Sequence, residues 1–510
     1  MSRSLAEDRA DPYERQSVRK TLTRFGWLRT EVLAGLVVAL ALIPEAIAFS
    51  IIAGVDPRVG LFASFTMAVT TAVLGGRPAM ISAATGAVAL VIAPLSASHG
   101  VDHLIAAVIL AGVFQVILAV VGAARLMRFI PRQVMVGFVN ALAILVFLAQ
   151  LPELIGVPWL VYVVCAAGLL IVFVLPRFTT AVPAPLVAIL VLTPLVVLLG
   201  WDIPTVGDRG ELPESVPFLF IPDVPLTWET FTTIAPFSLA MAVVGLLESL
   251  LTAKLVDDIT DTRSNKTRES WAQGAANITS GFLGGMGGCA VVGQTMMNVR
   301  ASGARTRIST FCAGVLLLVL VVLLGDVVAV VPMAVLVAIM VFVSWATFDW
   351  HSLRPSTLTR MPLSETIVML VTVVATVWTH NLAIGVGLGV LVAMVAFARR
   401  VAHFVTVTRE VIDEAGDGEE APAGPCARYT VEGELFFASS NDLFTQFRYA
   451  EDPARVIIDM HRSHVWDAST VAALDSVTEK YAARGTVVEV RGLNEASRRM
   501  RERLSGTLGG

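Results

Sequence analysis

The sequence predicts a polytopic α-helical membrane protein whose chain ends in a small soluble α/β domain. Three observations carry this prediction: the composition is apolar, long apolar segments recur along the chain, and the pattern changes after Arg400. Of the 510 residues, 55% are hydrophobic and 15% are charged, whereas globular proteins carry about 25% charged residues. The composition therefore argues against a soluble enzyme, and the net charge of −4 gives no reason to expect a nucleic-acid partner.

Fourteen apolar segments, several of them shorter than the roughly 20 residues that cross a bilayer, fall into two sets of seven. The first set lies near residues 33–50, 61–74, 85–95, 104–121, 134–151, 159–174 and 186–199. The second set lies near residues 234–251, 272–283, 290–299, 308–324, 330–345, 366–378 and 382–397. Because each set is odd in number, the second set crosses the membrane in the opposite sense, which is the outline of an inverted repeat.

Basic residues predict which ends of these segments face the cytoplasm. Arginine and lysine concentrate in the amino-terminal segment, residues 1–29, and in alternate loops, whereas the loop at 201–229 is acidic. Positive charge is typical of cytoplasmic loops. We therefore expect a transmembrane domain over residues 30–402, with both termini of the chain in the cytoplasm.

Two of the shortest segments, 85–95 and 290–299, are each third in their set. About ten residues of helix span roughly 15 Å, half the hydrocarbon core, so both are predicted to be half-helices that begin at mid-membrane. The glycine-dense stretch 281–298 leads into the second one, and a broken helix in lipid is tolerated where it lines a cavity. Close helix packing is the alternative role of glycine, and it suits 385–389 better than 284–288.

The amino ends of two facing half-helices would form an anion site without a basic side chain, because unpaired N–H groups and the helix dipole favour negative charge there. The expected donors are the backbones and side chains of Thr85, Gly86, Ala87, Cys289, Ala290 and Val291. Gln294 lies one turn into the second half-helix, from where it could also face the cavity.

Two carboxylates are expected within the segments: Glu45, directly after Pro44, which should break its helix, and Glu248. A charged side chain at mid-membrane costs about 2.5–3.5 kcal/mol or more. Lys254 follows Glu248 by roughly 9 Å of helix rise, which is too far for an ion pair. Glu248 is therefore expected to be protonated, to hold a cation or to alternate between these states. A permanently neutral acid that is hydrogen-bonded to the backbone is the alternative.

After Arg400 the pattern changes to that of a soluble domain. Residues 403–425 combine clustered acids with glycine and proline and are predicted to be a linker. Residues 426–506 alternate predicted strands with predicted helices and should form a cytoplasmic α/β domain. The expected strands lie at 428–432, 456–460 and 486–490, and the expected helices lie at 442–449, 469–483 and 494–503.

Ordered motifs along the chain resemble those of the sulfate permease family of anion transporters. In the membrane part they are AGLVVALALIPEAIAFS at 34–50, GLFAS at 60–64, FIPRQVMVGF at 129–138, ESLLT at 248–252, QGAAN at 273–277 and NVRASG at 298–303. In the soluble part, EGELFF at 432–437, IIDM at 457–460 and VWDAST at 465–470 resemble a STAS domain. The resemblance implies a 7+7 inverted repeat with core and gate domains, a cytoplasmic STAS domain and a homodimer.

The resemblance also assigns roles to residues. In that family the substrate lies between the third and tenth segments, lined by the first and eighth, which adds Glu45 and Phe49 to the substrate-binding residues; an elevator-like displacement of the core moves the substrate. Glu248 aligns with the acid assigned to cation coupling, and Thr252 lies one turn from it. Ser469 matches the serine that is phosphorylated in stand-alone bacterial STAS proteins, although membrane-linked members often lack that switch.

One position departs from the family pattern. Many members place an arginine early in the tenth segment, where this chain has Gln294. The departure resembles a bacterial subgroup associated with dicarboxylate or bicarbonate uptake. Without the arginine, we expect a co-transported cation to compensate the charge of the anion.

These features together predict a bacterial secondary active transporter of the inner (plasma) membrane and not an enzyme. We expect symport of a small carboxylate such as fumarate with H⁺ rather than Na⁺, because a lone buried carboxylate readily titrates. Na⁺-coupled bicarbonate symport, sulfate transport, anion exchange and an uncoupled channel stay open, as does a signalling role in which the STAS domain contacts a cytoplasmic protein partner. The four cysteines lack metal-ligand spacing, so no metal or other cofactor is expected.

Overall fold

The computed structural model describes residues 13, 16–122, 125, 130–178, 183–402, 405–412, 425–437, 439 and 443–505. The first twelve residues and the acidic part of the predicted linker, 413–424, lie outside this description. The chain divides into two compact units, Met1–Val390 and Leu391–Gly510. The first unit contains most of the membrane segments, and the second contains the soluble domain.

Helices follow the predicted apolar segments through the membrane part of the chain. The elements of the first half are α1 Phe25–Ala53, α2 Pro57–Leu74, β1 Ser82–Ala83, α3 Gly86–Val121, α4 Arg132–Leu148, α5 Trp159–Val174 and α6 Ala184–Leu198. The elements of the second half are α7 Trp228–Thr260, α8 Lys266–Phe282, β2 Cys289–Ala290, α9 Val292–Met296, α10 Arg307–Leu323, α11 Met333–Thr347, α12 Leu363–Thr379 and α13 Leu382–Ala402. Shorter helices cover Val18–Thr23, Gly325–Ala329 and Pro355–Arg360.

Each of the fourteen predicted segments overlaps a helix in the part of the chain that the structure describes. Helix α3 contains both the third and the fourth predicted segment. Gly100 breaks the helix between them with a positive backbone angle, φ 83°. Seven of the described helices are long and apolar enough to cross a membrane. The arrangement of membrane segments thus follows the sequence pattern closely.

The expected break at Pro44 is wrong. Helix α1 continues through this proline to Ala53. A proline in a helix removes one backbone hydrogen bond and strains the preceding turn, but α2 and α10 pack along α1 and hold it. At one of these contacts a Cβ on Gly35 would lie 2.7 Å from the Cβ of Cys312, so α1 and α10 are in close contact.

Two further acids lie just outside the predicted segments 33–50 and 272–283, because helices α1 and α8 begin before those apolar runs do. Glu31 in α1 and Glu269 in α8 are buried as well. Glu31 accepts hydrogen bonds from three backbone N–H groups at the amino end of α10, at 2.7–3.2 Å. Glu269 accepts two, from Gly76 and Arg77, at 2.7 and 2.9 Å. Both acids therefore stabilise turns at helix ends.

The membrane helices pack in two groups. In one group α1 packs on α2 and α10, while α3 packs on α7 and α8. In the other, α4 packs on α11 and α12, and α5 packs on α6 and α11. Gly112 of α3 crosses Gly274 of α8 so closely that a Cβ on either would lie 2.6 Å from the carbonyl oxygen of the other. Both predicted half-helices belong to the first group.

The second unit contains a four-stranded mixed sheet and two helices. The elements are β3 Thr406–Ile412, β4 Cys426–Leu435, β5 Arg455–Val465, α14 Ala468–Ala482, β6 Val487–Arg491 and α15 Glu495–Leu504. The strands lie in the order β3-β4-β5-β6. Strand β3 is antiparallel to β4, whereas β4, β5 and β6 are parallel. Strands β4 to β6 and both helices match the predicted elements.

Two predictions for this unit need correction. Residues 406–412, predicted as part of the linker 403–425, form strand β3, which pairs with β4 along its whole length. The side chain of Arg409 fixes the strand further by donating to the buried Asp452 at 2.7 Å. In the described part of the predicted helix 442–449, Leu443 is helical and is followed by the 3-10 turn Phe444–Gln446, and residues 447–449 are not helical.

Candidate functional site

The starts of the two half-helices meet at a short antiparallel strand pair. Ser82 of β1 pairs with Ala290 of β2, and Ala83 pairs with Cys289. Helix α3 begins three residues after β1, and α9 begins two residues after β2. The strand pair therefore places both helix starts on neighbouring chains, which the spacing of the segments alone does not reveal.

The start of α3 is capped and covered. The side chain of Thr85 accepts a hydrogen bond from the N–H of Val88 at 3.4 Å and so caps the helix. A Cβ on Gly86 would lie 2.9 Å from the ring of Phe49 and 3.1 Å from a methyl group of Val146. Glycine at this position allows the side chains of α1 and α4 to pack over the helix start. Ala87 is buried beside it.

The start of α9 is built differently. Val291 precedes it and provides no side-chain cap. The backbone N–H groups of Ala290 and Val291 donate to Ser249 Oγ and to the carbonyl of Ile81, at 3.0 and 2.8 Å. These two predicted anion donors thus have protein partners, and the N–H groups within α9 itself are the ones that a helix start leaves unpaired. After Met296 the helix passes into a π turn, Met297–Ala301.

The glycine-dense stretch serves mainly close packing. A Cβ on Gly288 would lie 1.9 Å from the carbonyl oxygen of Ala83, and one on Gly285 would lie 2.8 Å from the backbone of Ala63. Gly293 differs from the other glycines of 281–298, a range that the structure describes in full. A Cβ on Gly293 would have no neighbouring atom within 4 Å. Open space therefore adjoins α9 and not the glycines that precede it.

Glu248 of α7 lies within hydrogen-bond distance of the strand pair. The thiol of Cys289 donates to Glu248 Oε2 at 2.9 Å, and the same sulfur lies 3.1 Å from Thr85 Oγ1. No lysine, arginine or histidine among the described residues forms a salt bridge with Glu248. The hydroxyl of Thr252 donates to the backbone carbonyl of Glu248 at 2.8 Å and so is not bonded to the carboxylate.

Glu45 of α1 has a different partner. The side-chain amide of Gln294 donates to Glu45 Oε1 at 2.7 Å, and both side chains are buried. The amide oxygen of Gln294 is also buried and has no hydrogen-bond partner within the described part of the chain. Gln294 therefore joins α9 to α1 and keeps one acceptor unused.

A network of buried polar side chains supports the strand pair. Asn277 holds Gly288 through both of its amide atoms, at 2.8 and 3.1 Å, and it also donates to Gln115 at 2.9 Å. These two residues therefore join α8 to α3. Ser249 and Thr295, which sequence reasoning missed, bind backbone groups of β2 and of the residue before β1. The only sequence signal for them is their position beside Glu248 and Gln294.

A cavity of about 320 Å³ adjoins the start of α3. Its lining comes from α1, α3, α11 and the turn that follows α4, and it includes Ala48, Leu90, Gln150 and Met333. Ala48 precedes Phe49, and Leu90 lies one turn after Gly86. The cavity is therefore close to the covered helix start and is mostly apolar.

Comparison with known proteins identifies the fold and the family. The sequence matches the profile of the sulfate permease family over residues 28–164 and 158–372, and that of the STAS domain over residues 423–505. The chain belongs to the sulfate permease family. It is 51% identical over 481 residues to the putative sulfate transporter YbaR of Bacillus subtilis, which covers 94% of this chain and 98% of that protein.

Other relatives of this sulfate permease family member are more distant. The bicarbonate transporter BicA of Picosynechococcus is 24% identical over 94% of this chain and 91% of its own. The solved transmembrane domain of a cyanobacterial BicA superposes with a TM-score of 0.63, at 24% identity, over 71% of this chain and 98% of that one. Murine Slc26a9, an anion transporter solved in the inward-facing state, superposes with a TM-score of 0.78, at 15% identity, over 93% and 87%. These likenesses confirm the predicted fold class.

The membership makes this chain a multi-pass membrane anion transporter with a carboxy-terminal STAS domain. Within the STAS domain, Ser469 is the second residue of α14 and is exposed. The preceding Asp467 caps that helix, accepting from the backbone and the hydroxyl of Thr470 at 3.0 and 3.1 Å. The regulatory role expected of Ser469 stays a prediction.

Proposed function

We propose that this sulfate permease family member is a secondary active symporter that couples H⁺ entry to the uptake of a small carboxylate such as fumarate. The observation that carries the proposal is the environment of Glu248. Its carboxylate is buried, lacks a salt bridge within the described residues and contacts the thiol that also touches the cap of α3. The residue that would bind the proton is thus two hydrogen bonds away from the helix start that would bind the anion.

Physical cost favours a proton at this position. An uncompensated carboxylate at membrane depth costs about 2.5–3.5 kcal/mol or more, and protonation removes that charge. A sodium site usually recruits several oxygens, often backbone carbonyls of unwound helix. The hydroxyl of Thr252 donates to the backbone carbonyl of Glu248, so it does not contact the carboxylate of Glu248.

The anion would bind between the starts of α3 and α9. Helix starts favour anions through their free N–H groups and their dipoles, and open space adjoins α9 at Gly293. Gln294 is neutral where many relatives have arginine, so the site has no fixed cation there and a co-transported proton would supply the charge. Elevator-like displacement of the first helix group would carry the anion across a bacterial inner membrane, in a homodimer with cytoplasmic termini.

Sulfate is the second candidate substrate. The relative at 51% identity is named a putative sulfate transporter, whereas the more distant BicA proteins are named bicarbonate transporters. The anion panel in the following experiment therefore contains fumarate, sulfate and bicarbonate.

Purified full-length protein in liposomes tests the proposal. With acid outside and no sodium, labelled fumarate should accumulate above its external concentration, and the Glu248→Gln protein should lose this accumulation by at least about tenfold, because its amide cannot carry the coupled proton. Glu31→Gln is the matched control: its amide oxygen can still accept from the N–H groups of Arg305 and Thr306, the bond from Ser309 is lost, and the protein should accumulate fumarate normally. Proton-driven accumulation by Glu248→Gln would contradict the proposal.

The same liposomes distinguish the remaining alternatives. Accumulation that requires a sodium gradient would indicate sodium coupling, and exchange of internal for external anion without accumulation would indicate an exchanger. Anion current that persists without any coupling ion would indicate a channel. If sulfate uptake exceeded fumarate uptake with the same proton dependence, proton coupling would stand and sulfate would become the proposed substrate.

A further inference from the structure

Cys289 connects the two functional elements of the site. Its sulfur lies 2.9 Å from Glu248 Oε2 and 3.1 Å from Thr85 Oγ1. The three residues come from β2, from α7 and from the cap of α3. Their exposed fractions are 0% for Cys289, 2% for Thr85 and 7% for Glu248, so bulk water does not compete for their hydrogen bonds.

The number of available protons determines which group donates in each of these hydrogen bonds when Glu248 is ionised. A thiol and a hydroxyl each have one proton to donate. The thiol donates to Glu248, so the contact between sulfur and Thr85 requires the hydroxyl of Thr85 to donate to the sulfur. Thr85 Oγ1 meanwhile accepts from the N–H of Val88. With Glu248 ionised, Thr85 has no proton left for another partner.

A proton on Glu248 reverses both bonds. The protonated carboxyl group can donate to the sulfur, and the thiol then turns to donate to Thr85 Oγ1. The hydroxyl of Thr85 is released and can donate to an anion at the start of α3. No covalent bond to sulfur or to the hydroxyl oxygen breaks, because both groups keep their protons and only rotate.

We propose that Cys289 is the positioning residue that transmits the protonation of Glu248 to the anion site through this reversal. The inference rests on the proposed proton coupling at Glu248. The sign of the coupling between proton and anion binding follows from the donor count. A proton on Glu248 frees the hydroxyl of Thr85 as a donor, so protonation strengthens anion binding. By linkage, a bound anion strengthens proton binding by the same factor. Mutual strengthening is what symport requires, whereas exchange would require the opposite sign.

The surroundings leave this pathway without a competing fixed charge. Residues 86–98 of α3 include no aspartate, glutamate, lysine or arginine. The buried acid of α8, Glu269, is bound to the backbone of Gly76 and Arg77. Glu45 of α1 is bound to Gln294. Cys289 of β2 is thus the titratable group that contacts Glu248 within the described residues.

The experiment measures fumarate binding to full-length protein in detergent at pH 5 and pH 8, together with fumarate accumulation in liposomes. For the unmodified protein, binding should be about 5- to 150-fold tighter at pH 5, the usual range of coupling between two sites. Cys289→Ala removes the sulfur to which the hydroxyl of Thr85 donates, so it should tighten fumarate binding at pH 8 toward the pH 5 value and reduce the ratio to below about twofold. Cys289→Ser provides a hydroxyl that both donates and accepts, so it should restore the ratio.

Thr85→Val tests the same pathway independently of whether the alanine variant folds. Valine has nearly the shape of threonine and lacks the hydroxyl. It should also reduce the pH ratio to below about twofold. An unchanged ratio in Cys289→Ala or in folded Thr85→Val would overturn the role of Cys289 and leave proton coupling intact. A ratio near one in the unmodified protein, with no proton-driven accumulation, would overturn the coupling proposal as well.

Discussion

The starts of α3 and α9 occupy corresponding places in the two repeats, yet they are built differently. The start of α3 has a threonine cap, a helix that continues to residue 99 before the break at Gly100, and the ring of Phe49 over Gly86. The start of α9 has Val291 with no side-chain cap, five helical residues and open space at Gly293. The start of α3 is thus capped and covered by side chains, whereas the start of α9 has no side-chain cap and has open space beside it.

The glutamates beside these two starts differ in the same way. Glu248 contacts a thiol, which can donate or accept through a single atom, whereas Glu45 contacts the amide nitrogen of Gln294, which can only donate. A change of protonation at Glu248 can therefore reverse a hydrogen bond. At Glu45 it would require the whole amide group to turn. The two glutamates thus lie in corresponding surroundings but have partners of different hydrogen-bonding capacity.

The largest expected effect comes from two glycines that precede and follow the start of α9. Gly288→Ala should lower the stability of the protein by about 3 kcal/mol, because its Cβ would lie 1.9 Å from the carbonyl oxygen of Ala83 and would force β1 and β2 apart. Gly293→Ala is the matched control and should raise stability by about 0.5–1 kcal/mol, since nothing lies near its Cβ. Thermal unfolding of both purified variants measures the difference. Equal melting temperatures would contradict the packing role of Gly288.

A fixed charge at the start of α9 should have an intermediate effect. Gln294→Arg places a cation beside Glu45 and should tighten fumarate binding at pH 8 by about 30-fold, because one added unit charge at roughly 8 Å is worth about 2 kcal/mol at an effective dielectric constant near 20. The dependence of binding on pH should weaken accordingly. Gln294→Met, of similar length and neutral, should produce no gain in affinity. A gain in both variants would show that the amide and not the missing charge limits anion binding.

The smallest effect should come from exchanging the caps. Thr85→Val removes the cap of α3 and should cost about 1 kcal/mol of stability. Val291→Thr adds a hydroxyl at the corresponding position, whose backbone is extended (φ −92°, ψ 114°) and therefore suited to capping, and it should contribute a few tenths of a kcal/mol. Chemical denaturation in detergent measures both. If Val291→Thr were as destabilising as Thr85→Val, the difference between the two starts would not lie in their caps.

Sequence patterns predict the membrane segments well because apolar length and the distribution of basic residues are imposed by the bilayer itself. The half-helices near residues 86 and 292 were predictable for the same reason, since their apolar runs are too short to cross. Helix ends were not predictable to better than several residues. Glu31 and Glu269 lie in polar flanks, and their burial depends on backbone N–H groups of elements far away in the chain.

The contacts within the candidate site were beyond the reach of sequence reasoning. Cys289 and Glu248 are 41 residues apart, and Thr85 is 204 residues from Cys289, so no local pattern encodes their bonds. The glycines before α9 carried a true signal of close approach, but the partner was the backbone of β1 and not a ligand. Strand β3 was missed because its last residues adjoin an acidic, proline-containing stretch that has the composition of a linker.

The strand pair β1–β2 has a consequence for which anions the site can accept. The two helix starts leave from one hydrogen-bonded ladder, reinforced by the bond from the N–H of Val291 to the carbonyl of Ile81. The distance between them is therefore set by main-chain geometry. Side-chain substitutions around such a gap would alter how tightly an anion is held. Only a change in the ladder itself would alter the length of anion that fits.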